Sequence, residues 1–110
     1  MEVSMGKIYG GIIGVAIGDA LGVPVEFIAR EEITKAPITA IIGYGTHMQP
    51  PGTWSDDTSL TLALLDIISQ KHEIDYRDIM DKFSEWMLYN EYTATGKIFD
   101  IGNTIKKRLY

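Results

Sequence analysis

Glycines recur at positions 10, 14, 18 and 22, and the run from residue 8 to residue 18 carries no charge. Four-residue spacing lines the glycines along one ridge of a helix, where a second helix can approach closely. Ile8, Ile12, Ile13, Val15 and Ile17 make the other faces apolar. A helix apolar nearly all round belongs in the middle of a helical domain, so residues 5–21 are predicted to form a buried helix. Each glycine costs up to ~1 kcal/mol of helix propensity relative to alanine, and close packing has to offset that. Gly22 and Pro24 are the expected stop. The uncharged run falls short of the ~20 residues a bilayer span needs, and Asp19 interrupts it, so no membrane contact is expected.

At 110 residues the chain holds one domain at most, with room for a single modest core. The net charge of −5 and the confinement of clustered basic residues to Lys106-Lys107-Arg108 argue against a nucleic-acid surface. Cysteine is absent, which excludes disulfides, zinc–thiolate sites and a thiol nucleophile. No basic stretch followed by a small-residue cleavage site marks the N-terminus, and a cytoplasmic location is the expectation.

Beyond the first helix, residues 29–36 read as a short charged helix or turn ended by Pro37, and residues 38–42 as extended chain. Residues 43–52 are a loop by composition. His47 stands alone there, without a nucleophile or carboxylate beside it in sequence, and is expected to be solvated. Residues 56–70 form the next helix, with Leu60, Ala63, Leu64, Ile67 and Ile68 on its core face. Ser55 is its natural cap, because its hydroxyl can accept from a backbone N–H two or three residues on. Another helix runs from about residue 75 to residue 89, capped by Asp75 and buried along Ile79, Met80, Phe83, Trp86 and Met87. After a polar loop, a last helix begins at Asn103 or Thr104 and runs to Leu109.

The acids single out the chemistry. Asp56 and Asp57 lie in a first helical turn, where the dipole favours negative charge, and a plain helix start would account for one of them. Two adjacent carboxylates flanked by the hydroxyls of Ser55 and Thr58 also form a hard-oxygen set of the kind Mg²⁺ or Mn²⁺ prefers. Asp19 reads as a structural acceptor for nearby N–H groups. Glu26 sits on a loop, where a solvated glutamate and a functional one are both open.

Three stretches together resemble successive signatures of the ADP-ribosylglycohydrolase family. They are Gly18-Asp19-Ala20-Leu21-Gly22-Val23-Pro24-Val25-Glu26-Phe27, Gly52-Thr53-Trp54-Ser55-Asp56-Asp57-Thr58 and Phe99-Asp100-Ile101-Gly102-Asn103-Thr104. The resemblance implies an all-α, orthogonal multi-helix domain of which residues 1–110 are the N-terminal portion. It implies a binuclear Mg²⁺ or Mn²⁺ site with Ser55, Asp56 and Asp57 as ligands; threonine is usual where Ser55 stands, and serine keeps the oxygen. It places Glu26 and Asp100 in catalysis and Gly102 and Asn103 near the ADP-ribose. The implied reaction cleaves the glycosidic bond between ADP-ribose and a protein side chain or small molecule through an oxocarbenium-like state, with carboxylates handling the proton.

The resemblance also implies what this chain lacks: family members carry a second aspartate cluster and a glycine-rich loop near the C-terminus, and neither follows Asp100 here. Incomplete catalytic machinery and exposed apolar faces are the corresponding expectations, with association to itself or to a complementing chain. A non-catalytic ADP-ribose- or metal-binding module and a purely helical interaction domain are the alternatives.

Overall fold

A computed structural model describes residues 4–109. Among them are five α-helices, α1 (Met5–Gly22), α2 (Arg30–Lys35), α3 (Asp56–Lys71), α4 (Tyr76–Tyr89) and α5 (Asn103–Leu109), and two single-turn 3-10 segments, Val23–Val25 and Gly45–His47. No strand is present among the described residues; Tyr44 and Gln49 make one isolated antiparallel bridge. The all-α expectation is met. The chain divides into two compact units, Met1–Trp54 and Ser55–Tyr110.

In the first unit, α1 begins where the Ser4 hydroxyl accepts from the Lys7 N–H. It ends differently from the expectation. Gly22 keeps a right-handed backbone (φ −80°), and the chain tightens into the Val23–Val25 turn with Pro24 at its start. The stop is therefore proline, which removes a donor and clashes with the preceding turn, rather than a left-handed glycine.

The larger correction concerns burial. Of the α1 residues only Ala20 is buried, while Met5, Ile8, Tyr9, Ile13, Val15 and Ile17 are exposed. A Cβ added at Gly10, Gly14, Gly18 or Gly22 would meet nothing within 4 Å. A helix of 18 residues is about 27 Å long, and the helical segment it packs on within this unit is the 3-10 turn that follows it. A glycine ridge permits close approach without supplying the neighbour. The exposed apolar faces expected for this chain are thus observed, and the buried first helix is not.

Length does not exclude a membrane either. The segment Met5–Val25 has 21 residues and a mean hydropathy of 1.6, enough by length and composition to cross a bilayer once Lys7 and Asp19 are tolerated. The case against a span rests on the charge of Asp19, which is costly in lipid.

The second unit is built around α3 and α4, which pack against each other. Both start as their caps dictate: Ser55 accepts from the Asp57 N–H, and Asp75 accepts from the Asp78 N–H. The buried apolar residues of this unit are Ala63 and Ile67 from α3 and Ile79, Trp86 and Met87 from α4. The loop after α4 is tied back to α3. The Ser59 hydroxyl donates to the Tyr92 carbonyl at 2.9 Å, and the Tyr92 hydroxyl donates to Asp66. Burial first, and that hydrogen bond second, push the Tyr92 hydroxyl well above its usual range. Asn90 takes the left-handed cap of α4 (φ 61°) and accepts from the Ile98 N–H at 3.1 Å. These bonds fix the approach to Asp100.

Lys71, at the end of α3, pairs with Asp75 and Asp78 at the start of α4. The Asp78 N–H, and then Lys71, hold the Asp75 carboxyl below its ordinary value of 3.8. Asp75 therefore contributes stability that is full above that ordinary value and is lost as pH falls through the depressed folded one. An asparagine in its place would retain the cap but not the charge. Urea midpoints at about pH 6 and about pH 2 are expected to differ less in Asp75→Asn than in the parent; equal differences would contradict the linkage.

Candidate functional site

In the first unit the loop 43–49 is clamped onto the segment 24–27 by four kinds of contact. The Thr46 hydroxyl lies 2.7 Å from the Glu26 carbonyl and 3.3 Å from the Pro24 carbonyl. Gly45, at φ +57°, passes so close to Pro24 that a Cβ there would stand 2.1 Å from the Pro24 carbonyl oxygen. The Phe27 ring meets the His47 ring edge-on, with centroids 6.1 Å apart. Finally, His47 Nε2 is 3.0 Å from Glu26 Oε2. The loop itself is closed by the Tyr44 N–H donating to the Gln49 carbonyl and the Gln49 amide donating to the His47 carbonyl.

His47 is thus not the solvated loop residue the sequence predicts. Its side chain is only 10% exposed, against 42% for the Glu26 side chain. The sequence signal that could have found it is indirect: the pair is separated by 21 residues, and only the clamp brings it together. Phe27, Tyr44 and Met48 all have positive φ, and all three are exposed. Non-glycine residues rarely hold that conformation, and clusters of it are characteristic of binding and catalytic loops.

In the second unit the hydroxyl–Asp–Asp set opens α3. Ser55 and Asp56 are half-buried and Asp57 is exposed. The Ser55 oxygen accepts from the Asp57 N–H at 3.2 Å, so the cap brings its hydroxyl and the two adjacent carboxylates into one helical turn. The helix N-terminus carries partial positive charge of about half an electron, which two full carboxylates outweigh. The donor set therefore suits a hard divalent cation. Thr58 and Ser59, the next residues, are buried and anchor the turn from below.

Asp100 is exposed, with a left-handed backbone (φ 51°). Gly102 precedes α5 and its carbonyl accepts from the Lys106 N–H, while Asn103 is the first residue of that helix. A Cβ at Gly102 would meet nothing within 4 Å, so nothing among the described residues demands glycine there. Asp19, in α1, is half-buried.

Residues 2–110 match the family profile described as ADP-ribosylglycohydrolase. An ADP-ribosylarginine hydrolase Tri1 of Serratia proteamaculans (strain 568) is 35% identical over 106 residues, covering 96% of this chain and 28% of that protein. A Tri1 hydrolase of the same name from Pseudomonas putida (strain GB-1) is 32% identical over 108 residues, covering 98% of this chain and 28% of its own length. The ADP-ribosyl-[dinitrogen reductase] glycohydrolase of Rhodospirillum rubrum is 32% identical over 107 residues, with 89% of this chain and 32% of that protein covered. The chain thus spans about a third or less of the length of these relatives.

Proposed function

The chain belongs to the ADP-ribosylglycohydrolase family, and from that premise we propose that it forms the N-terminal part of a metal-dependent ADP-ribosyl hydrolase. The bond cleaved joins ribose to a protein side chain or small molecule, and arginine is the acceptor that the names of two relatives favour. Ser55, Asp56 and Asp57 would hold Mg²⁺ or Mn²⁺. The observation that carries this reading is the hydroxyl–Asp–Asp set at the start of α3, with one carboxylate more than a plain helix start accounts for. The cation, when bound, supplies Lewis-acid charge for ribose hydroxyls and for water.

The chain's own residues do the rest. Glu26, on its clamped loop, and Asp100, on the approach to α5, are each assigned as a carboxylate that can take a proton from the attacking water and pass it to the departing side-chain group. Gly102 and Asn103 receive the ADP-ribose, for which the open space over Gly102 leaves room. The site works in water-accessible cytoplasm, without membrane contact. The family resemblance implies further metal ligands besides Ser55, Asp56 and Asp57, and we expect turnover to depend on them.

Metal titration tests the ligand set. At a Mn²⁺ concentration ~100 times its Kd, binding to the folded chain alone should add ~2.7 kcal/mol of stability, and Asp57→Ala should abolish the gain. No metal-linked stabilisation would favour a helical interaction domain instead. Release of ADP-ribose from ADP-ribosylarginine, assayed beside it, tests completeness: metal-dependent turnover by the chain alone, lost in Asp57→Ala, would show that no further ligands are needed.

A further inference from the structure

We propose that His47 is the positioning residue for Glu26, holding its carboxylate in one orientation for proton transfer; this rests on the hydrolase reading above. The two side chains meet at 3.0 Å between His47 Nε2 and Glu26 Oε2. An ionised carboxylate only accepts, so the proton between them is on Nε2 and the imidazole donates.

Burial sets the direction of support. His47 is nearly enclosed, whereas Glu26 is open to solvent over much of its surface. The open member of the pair is the one a substrate can reach, and the enclosed member is the one the fold can hold still. Three independent restraints hold it. The Gly45–His47 turn fixes the backbone, the Thr46 hydroxyl ties that turn to the Glu26 carbonyl, and the Phe27 ring edge limits rotation of the imidazole. Thr46 and His47 therefore grip the same residue, one by its main chain and the other by its carboxylate. A glutamate free to sample its rotamers spends little time in any one of them, and a donor of fixed position removes that freedom. Neither a solvated histidine nor a histidine packed only for stability would be expected to point its ring N–H at an accessible carboxylate.

The test has two arms. In side-chain NMR spectra of the purified chain, His47 should be the Nε2–H tautomer with a slowly exchanging Nε2 proton, and Glu26→Gln should move that resonance. In whichever form of the protein releases ADP-ribose, alone or with its complementing part, His47→Ala should lower kcat by ~10²-fold with KM little changed. His47→Gln, whose amide can donate to the same carboxylate, should recover most of the loss. A His47 resonance indifferent to Glu26→Gln overturns the proposal, as does an unchanged kcat in His47→Ala. If no form turns over, the hydrolase reading fails, and the NMR arm still decides whether His47 holds Glu26.

Discussion

Replacing Trp86 with alanine is expected to destabilise the second unit by about 3–5 kcal/mol, the largest effect of any single truncation among the described residues. Trp86 is 1% exposed, the largest fully enclosed side chain among the described residues. It occupies the helix face that also carries Ile79 and Met87, and α4 packs against α3 through that face. The cost joins lost transfer free energy to a cavity that neighbouring helices fill only in part. A domain of this size has about 5–15 kcal/mol in total, so the variant should lose its cooperative urea transition or keep only a small midpoint. The consequence reaches the candidate ligands, because α3 begins at Asp56 and holds its position through the same packing. A midpoint within about 1 kcal/mol of the parent would show that the second unit is not organised around this residue.

Which parts of this were legible beforehand follows from the range of each interaction. The starts of α3 and α4 were, because Ser55 and Asp75 act on N–H groups two and three residues away. The buried stripe of α4 was in part: Ile79, Trp86 and Met87 are buried, Phe83 is half-buried and Met80 is exposed. The three family motifs were also read from the sequence alone. The Glu26–His47 pair was not, and neither was the Tyr92–Asp66 bond, because partners 21 and 26 residues apart meet only after the chain has folded. A loop histidine with no local partner looks solvated for that reason.

The first helix shows a different limit. Apolar faces and a glycine ridge state what a helix could pack against, and they are silent about whether a partner is at hand. In the first unit few side chains are buried, among them Ala20, Val23, Pro24 and Thr53. So small a set of enclosed residues contributes little hydrophobic stabilisation. The local order of that unit must therefore come substantially from the polar clamp around Glu26.

That dependence makes Gly45 the most sensitive position in the first unit. Gly45→Val should release the loop 43–49 from the segment 24–27. The new Cβ would stand 2.1 Å from the Pro24 carbonyl oxygen and 2.8 Å from its carbonyl carbon, which are backbone atoms and cannot rotate away. The position also requires φ +57°, which costs an L residue roughly 1–2 kcal/mol and a β-branched one more. Gly52→Ala separates the two effects, since Gly52 has φ +85° but open space where its Cβ would go. Amide exchange is the measurement. Tyr44 and Met48 donate to Gln49 and Gly45 within the loop, and their protection should collapse in Gly45→Val and persist in Gly52→Ala. The His47 Nε2 proton resonance should vanish with it, because the ring can no longer be held against Glu26. If Gly45→Val kept both the amide protection and that resonance, the clamp would not be what orders the loop. The geometry of the Glu26 carboxylate would then need another source.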